Sequence, residues 1–141
     1  MSERTRVLVV ANRTADSEEL HEALVERHAR DPIRVTLLAP ACWEASDPHG
    51  GRESALRRLR AAATRLAGEG IAIETVVGDP DPMTAVTAIW DPERFDEVIV
   101  ATLPQQLSRW LRLDLPRRVE RLTARGVRHV VAHERAAMPA S

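Results

Sequence analysis

Short runs of branched apolar residues alternate along this chain with longer segments whose apolar positions recur at helical spacing. The runs are Arg6–Ala11 (RVLVVA), Ile33–Leu38 (IRVTLL), Ile71–Val77, Glu97–Ala101 and Val127–Ala132, and each predicts a buried strand. Between the first two, "TADSEELHEALVERHAR" predicts a helix. Asp16 or Ser17 can cap it, glutamates fill its first turn, and Leu20, Ala23, Leu24 and Arg27 fall at helical spacing. Asp31-Pro32 ends it, because the residue before proline is pushed out of helical geometry. Ala39–Gly51, with two prolines and the Gly50-Gly51 pair, predicts a loop; the helix after it starts near Glu53. That helix buries Ala55, Leu59, Ala62, Ala63 and Leu66 and closes on Gly68 or Gly70. Met83–Trp90 predicts a short helix. A last helix is capped by Asp114, has Pro116 in its first turn, buries Leu115, Val119 and Leu122, and ends at Gly126.

Strand and helix in alternation predict an α/β fold, a three-layer sandwich around a five-strand parallel sheet with right-handed crossovers. One domain over 1–135 and a flexible tail over 136–141 are expected. Such sheets bind ligands beyond the carboxyl ends of their strands. That rule marks three loops: Asn12–Asp16, Gly78–Pro82 and Thr102–Leu113.

Composition narrows the chemistry. The chain has 141 residues, net charge −1 and 44% hydrophobic residues, with Trp43, Trp90, Trp110 and Phe95 as its aromatics. Every basic residue is arginine, so a P-loop lysine, a Schiff base and a lysine general base are all excluded. Cys42 is alone, which rules out an intrachain disulfide and suits a reducing cytoplasm. No apolar run approaches the ~20 residues of a membrane span, and the start lacks a signal-peptide plan. A cytoplasmic protein without a membrane or specific nucleic-acid partner is expected. The pair His129 and His133 is ~13 Å apart on a strand, and His21 and His28 are ~10 Å apart along a helix, so neither pair chelates a metal unaided. No G-x-S-x-G motif is present, and no catalytic residue is assigned.

The segment "SALRRLRAAATRLAGEGIAIETVVGDPDPMTAVTAI" followed by "FDEVIVAT" resembles the universal stress protein family. A long helix closes on Gly70, a strand ends in Val77-Gly78-Asp79-Pro80, a short helix follows, and "FDEVIVAT" stands at the family's fourth strand. The resemblance runs from about Arg6 to His133. It implies the strand order 3-2-1-4-5 and, commonly, a homodimer paired through the last strand, here at Val127, His129, Val130 and Val131. Some members of the family bind ATP or AMP through an acidic residue after the first strand and a glycine-rich loop after the fourth. Here Asn12 stands for the acid, Thr102 for the first loop glycine, and Asp114-Leu115 near the late glycine–serine pair. The chain runs from Ala101 to Arg125 without a glycine.

Arginines occupy that glycine-free stretch. From Leu103 to Arg128 there are seven of them against Asp114 and Glu120, a local charge of +5. One reading gathers Asn12, Arg13, Thr14, Gly78, Asp79, Thr102, Ser108, Arg109 and Arg112 into a ligand site, with guanidinium forks replacing backbone amides around a small anion. A helix starting near Gln105 would aim its amides at the same place. The plainer reading makes "QQLSRWLRL" an amphipathic helix with Leu107, Trp110 and Leu111 buried and Ser108, Arg109 and Arg112 in water. Arg118, Arg121 and Arg125 share one helix face, which reads as solvated. The expected function is a non-catalytic, homodimeric binding or signalling module without the usual ATP loop. The alternative is an ATP- or AMP-binding member with a remodelled loop; no other cofactor is implied.

Overall fold

The computed structural model describes residues 4–41, 50–104 and 108–133. Five parallel strands form one sheet in the order β3-β2-β1-β4-β5: β1 (Thr5–Val10), β2 (Ile33–Pro40), β3 (Ala72–Gly78), β4 (Glu97–Thr102) and β5 (Val127–Val131). The expected strand order is therefore observed. Helices cover both faces, α1 (Glu18–Arg30) and α2 (Gly50–Gly68) on one, α3 (Pro82–Ile89) and α5 (Leu115–Thr123) on the other. A single turn, α4 (Arg109–Arg112), precedes α5.

Alternation along the strands sorts the core into two layers. Val7, Val9, Val35, Leu37 and Ile99 face Leu20, Leu24, Leu59 and Leu66. Leu8, Val10, Leu38, Val98 and Val100 face Val86, Leu115 and Val119. Val7–Val10 are wholly buried, as a central strand covered on both faces must be. Across the first layer, Arg27 reaches Glu97 with two bonds, Nη2 to Oε1 at 2.7 Å and Nε to Oε2 at 3.2 Å. This fork pins the end of α1 to the start of β4.

Several helix ends match the sequence reading. Ser17 caps α1, its Oγ accepting from the Leu20 amide at 3.2 Å. Gly70, at φ 78°, closes α2, and the Ile71 amide donates back to the Leu66 carbonyl at 3.1 Å. Other ends differ. The Gly50-Gly51 pair begins α2 rather than ending a loop, three residues before Glu53. Asp114 stands at the α5 cap position but in left-handed geometry (φ 56°), and its side chain makes no capping bond. Ala124, also left-handed at φ 54°, ends α5 in place of Gly126. Leu122 is exposed, and Thr123 takes the buried position, its hydroxyl satisfied by the Val119 carbonyl at 2.9 Å. Cys42, Trp43, His49, Gln105–Leu107 and the 136–141 tail lie outside the described residues.

Gly78 is set by packing. A Cβ there would lie 2.8 Å from the Ala85 Cβ and 2.9 Å from Leu38 Cδ1, so its absence lets α3 sit close against β2 and β3. Gly126 has nothing within 4 Å of such a Cβ and no positive φ. Gly78→Ala is therefore expected to cost about 1–3 kcal/mol in denaturant unfolding. Gly126→Ala should leave stability unchanged or raise it by about 0.4–1 kcal/mol.

Candidate functional site

β1 is followed by a helix on one face of the sheet, and β4 by a chain that crosses to the other. The order therefore reverses between β1 and β4, and the loops leaving these two strands part there. Thr14 holds the loop after β1 to β4: it is 2% exposed, and its Oγ1 donates to the Ala101 carbonyl at 3.2 Å. Arg13, beside it, is exposed.

Asn12 is buried and bonded on both sides of its amide. Nδ2 donates to the Pro40 carbonyl, and Oδ1 accepts from Arg58 Nη1 at 2.7 Å. A neutral amide can donate and accept at once; a carboxylate here would turn a second acceptor on the Pro40 carbonyl. The Asn12 amide thus has a local role, and it draws the Arg58 guanidinium from α2 to the carboxyl end of β1. Sequence reasoning missed Arg58. It lies 46 residues from Asn12 among neighbouring arginines, with no spacing signal to single it out.

The Gly78-Asp79 turn is built for α3. The Gly78 carbonyl accepts from Ala41 at 3.0 Å, and Asp79 Oδ1 accepts from the Asp81 amide at 2.9 Å. Asp81 then caps α3 through Thr84, Oδ2 accepting from its hydroxyl at 2.6 Å and from its amide at 3.1 Å. The Thr84 hydroxyl bond holds the Asp81 carboxyl below its ordinary pKa.

Thr102, the last residue of β4, is 2% exposed, and beyond it Ser108 is 3% exposed. Ser108 is therefore not in water as the amphipathic reading had it. Its Oγ accepts from the Leu111 amide at 3.2 Å, which starts the α4 turn. The expected longer helix is four residues here, and the start near Gln105 lies outside the described residues. The backbone places Arg109 and Arg112 on that turn; their side chains lie outside the described set. Asp114 is exposed, with Arg121 3.9 Å away.

The sequence-named residues thus divide. Asn12, Thr14, Gly78 and Thr102 all lie at the carboxyl edge of the sheet, and the side chains of Asn12, Thr14 and Thr102 bond to other parts of the fold. Val127, His129, Val130 and Val131 form the edge strand, with β4 on one side only. Among the described residues, no three His, Cys, Asp or Glu side chains group as a metal site, and no helix is long and apolar enough to cross a membrane.

A doubly wound α/β sheet with its crevice between the first and fourth strands is the architecture this geometry defines. Among solved structures it is the universal stress protein fold. The chain matches the universal stress protein from Archaeoglobus fulgidus with a TM-score of 0.64, at 12% identity, over 89% of this chain and 93% of that one. It matches a universal stress protein from the same organism, in complex with dAMP, at TM-score 0.63 and 14% identity, over 92% and 99%. A universal stress protein in complex with cAMP matches at TM-score 0.57 and 18% identity, over 95% and 100%. Neither protein-family models nor curated protein sequences match this chain.

His129 Nε2 lies 2.6 Å from Thr102 Oγ1, and the partial desolvation of the ring lowers its pKa from the ordinary histidine value. The folded chain therefore favours neutral imidazole. That contribution is complete above the unfolded pKa of about 6.5 and is lost as pH falls through the lowered folded value. The melting temperature is expected to drop between about pH 7.5 and 5. His129→Gln, measured over the same range, should flatten that drop.

Proposed function

We propose that this chain is a non-catalytic binding module that takes a nucleoside monophosphate or a small phosphate-like anion at the crevice between β1 and β4. The observation that carries the reading is the Thr14–Ala101 bond, which fixes the loop after β1 against the end of β4 at the point where strand order reverses. Arg58, anchored on Asn12, brings positive charge to that edge, and Arg13 stands exposed beside it. Arg109 and Arg112 follow β4 in sequence, on α4, and add to the basic character of this stretch of chain. The dAMP and cAMP complexes of proteins with this fold support a monophosphate as the ligand class. A triphosphate is less well served. The segment after β4 has no glycine to let backbone amides wrap it, and Asp114 puts an exposed carboxylate at its far end.

The same reading makes the protein a homodimer through β5. Among the described residues that strand pairs with β4 alone, and Val131 is 49% exposed. A second copy laid antiparallel on it would cover its free side and Val131, in a two-fold arrangement where the same patch serves each side.

AMP at about a hundredfold excess over its dissociation constant should add about 2.7 kcal/mol of stability, roughly 5–10 °C in melting temperature. ATP should add no more than AMP. Arg58→Gln should remove most of the AMP-induced rise, judged against the variant's own ligand-free melting temperature. No rise with AMP or phosphate, or an undiminished rise in Arg58→Gln, contradicts the site. Sedimentation of Val130→Glu should show a monomer where the parent chain is a dimer.

A further inference from the structure

α3 has eight residues, a length of about 12 Å, whereas β2 at eight residues extends about 26 Å. Ala85 of α3 lies over Gly78, at the carboxyl end of β3, so α3 covers that half of the sheet only. By the strand alternation, Arg6, Arg34, Thr36 and Glu74 share the α3 face with Leu8, Leu38 and Val76, but at the amino half. There they line an open pocket of about 150 Å³ together with Arg94 and Phe95. Neighbouring helices normally bury this part of a parallel sheet. Here charged side chains stand on it instead.

The charges are not balanced within the fold. Arg6 and Arg34 are direct partners in the β1–β2 register, a like-charge pair side by side. Arg6 is neutralised: Nη2 and Nε bond the two oxygens of Asp96 at 3.2 Å each, and Nη1 donates to the Glu93 carbonyl. This pairing holds the Asp96 carboxyl below its ordinary pKa. Arg34 has no such relief. Among the described residues neither its side chain nor that of Glu74 makes a hydrogen bond or ion pair, and the Arg94 guanidinium rests only on the Phe95 ring, its carbon 5.5 Å from the centroid. Phe95 is in turn fixed by stacking on Trp90, with centroids 5.9 Å apart. Two guanidinium groups without carboxylate partners thus flank a concave surface that also carries the Thr36 hydroxyl.

We propose that this pocket is a second ligand site, for a small molecule bearing a carboxylate or phosphate group that Arg34 and Arg94 grip from two sides. Thr36 offers a hydroxyl donor, Phe95 an apolar wall, and Glu74 a repulsive boundary that disfavours highly charged anions. Arg34 is separated from the carboxyl end of β2 at Pro40 by about 20 Å of strand, so occupation here is distinct from occupation of the β1–β4 crevice.

The test is a titration of the full ¹⁵N-labelled chain with sodium acetate and with sodium phosphate, against sodium chloride at matched ionic strength. Saturable shifts of the Arg34, Thr36, Glu74 and Phe95 amides are expected with at least one of the two probes. Saturation by acetate alone assigns a carboxylate, and by phosphate alone a phosphoryl group. Arg34→Gln should weaken binding about tenfold, the loss of one charge-assisted hydrogen bond. Glu74→Gln should tighten it several-fold, a change of opposite sign that general destabilisation cannot produce. Shifts no different from those in sodium chloride, shifts confined to Asn12, Gly78 and Thr102, or affinities untouched by both substitutions overturn the proposal.

Discussion

The burial of β1 on both faces is the constraint from which the rest of the molecule follows. Val7 to Val10 expose no surface, so side chains pointing to either side of this strand must meet a helix. Right-handed crossovers put α1 and α2 on one face while the chain moves outward through β2 and β3. The opposite face can then be covered only if the chain returns past β1 to lay down β4 and β5. That return creates the crevice between β1 and β4. It also leaves α3, the shortest of the crossover helices, to cover β2 and β3 on its face, which it does over half their length.

The two ends of the sheet differ as a result. At the carboxyl end, chain entering and leaving the strands crowds the polar side chains, and Asn12, Thr14, Thr102 and Ser108 each find a partner inside the protein. Rigid, satisfied groups of this kind shape a crevice and set its charge, through Arg58, more than they offer free hydrogen bonds. At the amino end, where α3 does not reach, Arg34 and Arg94 keep their donors for solvent or a ligand. The chain thus has basic groups at both ends of its strands.

The layered architecture was legible in the sequence because it rests on periodicity, and each strand and crossover carries its own pattern. The Ser17 cap and the Gly70 helix end were legible for the same reason: their chemistry is local. What escaped depended on partners distant in sequence or on competition between adjacent positions. Arg58 is selected by a bond to Asn12, 46 positions away. On α5, Leu122 and Thr123 both fall near the face defined by Leu115 and Val119, and Leu122 has the greater apolar claim. Thr123 wins the buried place because a hydroxyl bonded to the preceding turn can be buried at little cost. Asp114 has the residue type of a cap, but the tight turn joining α4 to α5 requires left-handed geometry there, which aspartate tolerates better than most residues. The site residues named from the sequence were placed at the carboxyl edge of the sheet by topology alone; nothing in their spacing revealed that the fold had already engaged the side chains of Asn12, Thr14 and Thr102.

The most direct test of the central claim is a crystal structure of the protein grown with AMP. The expected result is ligand lodged between the loop at Asn12–Thr14 and the chain following Thr102, with its phosphate facing guanidinium groups. AMP bound only at the Arg34–Arg94 pocket, or a crevice still empty at saturating AMP, would contradict it.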